Sequence, residues 1–328
     1  MTLLDKLEPV LLALAAGLGL ALGRLTPWGP FLGFLVQPLL ILMLFGVFWE
    51  TPLKNLKKGL LNVKFAAVSL TLNFVWIPIL GWLLAAAFLA DQPDLSLGFV
   101  MLLITPCTDW YLVFTALAKG DTSLSASILP INLLAQLALM PFLLKIFGGL
   151  GRDIGAWGLL WAVVPVLFAP LAAARLLRRL VERPDARGPS VWPAVGQAVD
   201  RLAASKRMLY LQLAVVCMFA GEGRHILDRL DVFWALLPPV LLFFLVSLAV
   251  STTSARLSGL ARPQAVSLIF TTLARNSPVA LAVAVSAFPD RPLAALALVI
   301  GPLVELPVLA LCAKAVLALG RRGALGPG

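Results

Sequence analysis

Long apolar runs, separated by short clusters of charge, glycine and proline, repeat along the whole chain. A helix needs roughly 20 apolar residues to cross a bilayer. On that measure the runs predict ten spans, at 8–24, 31–49, 65–90, 97–118, 124–147, 157–177, 208–222, 232–254, 264–288 and 293–318. Two of them are interrupted by polar residues. Span four contains Thr105-Pro106-Cys107-Thr108-Asp109, and span nine contains Arg275-Asn276-Ser277-Pro278. In lipid, broken helical backbone is tolerated only where protein encloses it or a cavity bathes it. A pair of interrupted spans at corresponding places marks the binding site of a secondary transporter. Five spans precede Gly151 and five follow it, so residues 151–328 should form a second five-helix repeat inverted relative to residues 1–150.

Composition agrees with a membrane protein. The chain is 61% hydrophobic and 13% charged, with a mean hydropathy of +0.98. A soluble domain of this length would need a more polar surface. A pI of about 10.1 invites a nucleic-acid reading, but the basic residues gather between apolar runs rather than along a face. With ten spans, one side of the membrane collects nineteen of the 26 Lys and Arg residues and the other side six. That asymmetry predicts both termini in the cytoplasm. The N-terminus carries Asp5, Lys6 and Glu8 with no small-residue cleavage site, so it reads as the lead-in to a span rather than a signal peptide. Between spans six and seven, residues 178–207 read as a cytoplasmic loop with an interfacial helix near 194–207. Three cysteines in apolar runs give neither a disulfide framework nor a C-x-x-C metal pattern.

Asp109, Arg275 and Glu305 fall near the middle of their spans, where a charge costs on the order of 3 kcal/mol. Such residues are functional candidates by default. Asp109 and Arg275 either form an ion pair that locks two crossing helices or serve the transported solute. Glu305 lies in Gly301-Pro302-Leu303-Val304-Glu305-Leu306-Pro307, between two prolines that loosen the helix. It suits a carboxyl that loads and unloads a proton, or one that hydrogen-bonds neighbouring backbone. Cys107, beside Pro106 at the break, offers a soft ligand; Cys217 and Cys312 read as small buried hydrophobes. Asn73, Asn132 and Gln136 supply polar groups that can tie helices together. Gly19 and Gly23 form a small-xxx-small pair suited to close helix packing. The one histidine, His225, is expected in a charged loop. No intramembrane histidine is therefore at hand to activate Cys107, which argues against an enzyme. No cofactor is implied.

Thr105-Pro106-Cys107-Thr108, the turn Lys119-Gly120-Asp121 and the Gly301–Val308 segment together resemble the arsenite efflux permeases of the bile acid/sodium symporter superfamily. Asn73 with Pro78, and Asn276 followed by Ala280-Leu281-Ala282-Val283-Ala284, fit the same pattern. The resemblance covers essentially the whole chain. It implies an all-α polytopic fold divided into a panel and a core, with spans four and nine unwound and crossing at mid-membrane. It also implies proton-coupled export of arsenite, with Cys107 at the substrate and Glu305 as the coupling carboxyl. Thr108, Asn73 and Asn276 would line the cavity, and Asp109 is either a second coupling carboxylate or the partner of Arg275. Two departures stand out. Typical members have small or apolar residues where this chain has Asp109-Trp110, and paired asparagines where it has Arg275-Asn276. The added charges predict an Asp109–Arg275 contact, or an anionic substrate held by Arg275. The alternative reading is a sodium-coupled symporter of an organic anion.

Overall fold

A computed structural model describes residues 3–50, 62–107, 110–148, 156–182, 192–204, 207–227 and 231–321. Among them are thirteen helices and no strand beyond one isolated bridge. The first five are α1 (Leu3–Leu25), α2 (Gly29–Glu50), α3 (Val63–Phe88), α4 (Pro93–Leu103) and α5 (Trp110–Leu117). Then come α6 (Thr122–Phe147), α7 (Ala156–Val181), α8 (Trp192–Val199) and α9 (Arg207–Leu227). The last four are α10 (Asp231–Leu257), α11 (Arg262–Leu273), α12 (Ser277–Ala287) and α13 (Pro292–Arg321). Thr108, Asp109, Gly151 and residues 183–191 lie outside the described residues.

Each predicted span coincides with a helix, and spans four and nine are each split in two at the polar residues. Several helices run past their apolar runs, because Arg, Glu and Lys are good helix formers and apolarity does not set a helix end. For this reason α9 continues to Leu227, which puts His225 in its final turns rather than in a loop. The short helix predicted near 194–207 is α8, extended by a π turn over Asp200–Ala204.

Among the described residues, five helices are long and apolar enough to cross a membrane: Phe31–Trp49, Val63–Phe88, Thr122–Phe147, Asp231–Leu257 and Pro292–Gly320. The pattern of burial is the reverse of a soluble protein's. Phe34 is 80% exposed and Trp161 76% exposed, whereas Arg275 is only 2% exposed and Asn73 is fully buried. Large apolar side chains covering the outside, with charge and amide groups inside, are stable when the surrounding solvent is hydrocarbon. The chain is a multi-pass membrane protein.

One group of helices is built on α9, which packs along α1 and α2, while α2 also packs along α7. Small residues allow the close approach: a Cβ on Gly19 or Gly23 would run into the α9 backbone at Val216 or Ala220. In the other group α13 lies along α4, and α10 packs against α11 and α13. A Cβ on Gly98 would strike Ala294, and one on Gly301 would come within 2.9 Å of the Leu102 side chain. The groups meet chiefly where α12 touches α2 and α7, and where α6 touches α7.

The turn Lys119-Gly120-Asp121 ends α5 and starts α6. Lys119 takes a left-handed φ of 61°, and Gly120 N–H reaches back to the Thr115 carbonyl at 2.8 Å, closing the helix end. Asp121 then caps α6, its carboxylate accepting from Leu124 N–H at 2.9 Å. The same turn is fastened to α11, with Asp121 N–H donating to the Pro263 carbonyl and Ser267 Oγ to the Asp121 carbonyl.

Candidate functional site

The two helix breaks cross and pair with each other. Cys107 N–H donates to the Ala274 carbonyl at 3.1 Å, and Asn276 N–H to the Thr105 carbonyl at 2.7 Å. Together these make an antiparallel bridge between Pro106 and Arg275. Buried backbone that leaves a helix must find partners elsewhere, and each break satisfies the other. In such a bridge the two opposed residues turn their own N–H groups away from the partner strand. Pro106 has no N–H to satisfy. Arg275 has one, and it donates to Glu305 Oε1 at 2.8 Å. Glu305, 4% exposed, thus answers the N–H that the bridge turns away at Arg275. Gly301, a turn earlier on α13, permits the close approach to Leu102 and Ser277 beside that crossing.

Four half-helix ends converge on the crossing. α4 and α11 arrive with their carbonyl ends, while α5 and α12 leave with their N–H ends. The N–H ends are capped alike: Trp110 N–H donates to Cys107 Sγ at 3.3 Å, and Val279 N–H to Asn276 Oδ1 at 3.2 Å. Both caps reach three residues along the chain. Thr105 Oγ1 fastens the first break to the second, donating to the Met101 and Leu102 carbonyls and lying 3.3 Å from that of Asn276.

The carbonyl ends are answered by the Arg275 side chain. Its Nη1 donates to the Leu103 carbonyl at 2.8 Å, at the end of α4. Its Nη2 donates to Asn73 Oδ1 at 2.8 Å and to the Thr272 and Thr271 carbonyls in the last turn of α11. The guanidinium carbon lies 5.7 Å from the centre of the Phe243 ring. A cation at helix C-termini and over an aromatic face is favourable on both counts.

Asn73 is placed for this by a π turn over Leu72–Trp76, in which Ile77 N–H reaches back to the Leu72 carbonyl. Pro78 follows, and the proline that cannot donate to the Phe74 carbonyl accounts for the widened turn. Asn73 Nδ2 is held by the Ser69 carbonyl at 3.1 Å, which aims Oδ1 at Arg275.

Arg275, Asn73, Glu305, Asn276 and Cys107 therefore lie in one connected region. Thr108 and Asp109 lie outside the described residues, and so does the predicted Asp109–Arg275 contact. Glu305 has an Arg275 contact that the sequence does not reveal, because it runs through the backbone. Thr105 and Phe243 are members that sequence reasoning missed. Thr105 belongs to the first polar break and could have been chosen from that alone, whereas nothing marks Phe243 among the aromatics of its apolar run. Asn132 and Gln136, expected to tie helices together, are both buried on α6 and make no side-chain hydrogen bond among the described residues. The described residues contain no cluster of His, Cys, Asp or Glu suited to a metal ion.

Residues 37–229 match the Sodium Bile acid symporter family. The chain is also 27% identical to an arsenical-resistance protein, Acr3, of Corynebacterium glutamicum over 346 aligned positions, covering 97% of this chain and 90% of that protein. The family match spans more than half the chain, and it agrees with an apolar exterior enclosing two broken, crossed helices. The chain belongs to the Sodium Bile acid symporter family of membrane transporters.

Proposed function

We propose that this transporter exports arsenite or a related metalloid in exchange for protons, by alternating access. The observation that carries the reading is a thiol and a carboxyl on the same crossing. Cys107 Sγ stands at the start of α5, and Glu305 holds the Arg275 N–H of the paired strand. Arsenous acid is mostly uncharged at neutral pH, so a soft sulfur donor suits it better than a charge. Similarity along nearly the whole chain to an arsenical-resistance protein supports the same cargo.

Glu305 has two oxygens, and its Oε1 is engaged by Arg275 N–H. A proton taken on Oε2 would remove the negative charge and leave that hydrogen bond in place. The carboxyl would thus change charge without dismantling the crossing. Asn73 and Asn276 fix the geometry, and Thr108 and Asp109 complete the first break, with Asp109 as a second coupling carboxylate. Arg275, whose two terminal nitrogens both donate to protein oxygens, holds the half-helices rather than an anion. In this reading ten spans form two inverted five-helix repeats with both termini in the cytoplasm. The α1, α2, α7 and α9 group is the panel, and the remaining spans form the core that moves against it.

The test is arsenite accumulation in everted vesicles under an imposed pH gradient. Wild type should accumulate arsenite, and Cys107→Ala should not. Uptake that survives the substitution would reduce Cys107 to a cap. No uptake by wild type would favour an organic anion carried with sodium, the cargo class in the family's description.

A further inference from the structure

The oxygens around the Arg275 guanidinium form a coordination shell of a particular kind. Asn73 Oδ1 and the carbonyls of Leu103, Thr271 and Thr272 come from α3, α4 and α11. All four are uncharged. Three are carbonyls in the final turns of half-helices, where the peptide dipoles present their negative ends. The Phe243 ring adds a face attractive to cations. The Glu305 carboxyl lies just beyond the Arg275 backbone. Transporters with broken helices place their coupling cations at such half-helix C-termini and unwound carbonyls. Here the cation is a side chain.

We propose that Asn73, Leu103, Thr271 and Thr272 form a monovalent-cation site that Arg275 fills permanently with its own guanidinium. The chain carries at this point, by covalent attachment, the charge that another transporter would draw from solution. Its cycle should therefore need no sodium here, and ion specificity at this place is set by Arg275. A tethered cation also loses no translational freedom on binding, so occupancy is independent of the salt outside. The inference extends the transport reading, but its shell rests on geometry alone, and the test below does not need the cargo to be known.

The experiment compares purified wild type and Arg275→Ala in detergent, by thermal unfolding in the chlorides of guanidinium, sodium, potassium and choline. All are used at the same millimolar ionic strength. Wild type should show the same midpoint in sodium as in choline. Arg275→Ala should unfold earlier in choline and regain a few degrees in guanidinium, and part of that in sodium or potassium, as ligand linkage requires. Equal midpoints for the variant in all four salts would overturn the proposal, as would a wild type that sodium stabilises over choline.

Should Arg275→Ala fail to yield folded protein, Arg275→Gln keeps an amide donor and removes the charge. It is expected to show the same selective gain. If it is as stable as wild type in choline, the shell does not require a cation and the proposal falls. In vesicles, sodium should raise transport by Arg275→Ala about fivefold or more and leave wild type unchanged. Wild-type vesicles that move no arsenite would count against the cargo, while the thermal series would still decide the shell.

Discussion

At the first helix break an N–H in the first turn of the new helix, that of Trp110, is taken by the Cys107 sulfur; at the second, that of Val279 is taken by the Asn276 amide oxygen. The two breaks share a backbone device. Each pairs with the other through one hydrogen bond in either direction, and each caps the following half-helix from three residues back. Their chemistry then diverges. The first break offers small or soft side chains, Thr105 and Cys107, and keeps no side-chain cation among its described residues. The second supplies Arg275, which binds the carbonyl ends of both incoming half-helices. On the proposed function, the second break holds the architecture together and the first meets the solute. Two polar interruptions that look equivalent in sequence thus do different work.

Substitutions can break that contrast, and the largest effect belongs at Arg275. Arg275→Met would strip the partner from three carbonyls and from Asn73, at a cost of about 3 kcal/mol or more in stability. Thermal unfolding in detergent should show it as a large drop in midpoint. Asn73→Leu removes one charge-assisted bond and should cost about 2 kcal/mol, read in the same assay. Asn276→Ala takes the cap from α12 and should cost about 1 kcal/mol, while Asn276→Asp should recover most of it. The smallest change in stability is expected at Cys107→Ser and Glu305→Gln. A serine oxygen can still accept from Trp110 N–H, and a glutamine oxygen from Arg275 N–H. Both variants should unfold within about 1 kcal/mol of wild type yet lose arsenite accumulation driven by a pH gradient. A Cys107→Ser protein that unfolds far below wild type would show that the first break is as structural as the second.

Much of this arrangement was legible in the sequence. The apolar runs locate the helices, because a chain in lipid must form its backbone hydrogen bonds locally. The Thr105–Asp109 and Arg275–Pro278 knots locate the breaks, because prolines and charges interrupt those runs. Helix ends were less legible, as at His225, where polar residues continue a helix beyond its apolar stretch. The partners of Arg275 were least legible. The described partners of the guanidinium are mainly main-chain carbonyls, which every residue carries. Nor does the spacing of apolar residues reveal that Asn73 and Arg275, 202 positions apart, share a bond. The π turn that aims Asn73 had only Pro78 to announce it.

The pairing of the two breaks also sets an order of events during synthesis. Thr105 and Asn276 are 171 positions apart, so the backbone groups exposed by the first break have no native partner until the second has been made. At ribosomal speeds that interval is roughly ten to thirty seconds. Throughout it a nascent protein carries the Cys107 amide and the Thr105 carbonyl without their native bonds. The site is thus among the last parts of the molecule that can form, and a chain halted after its first five spans would hold a thiol but no crossing to present it.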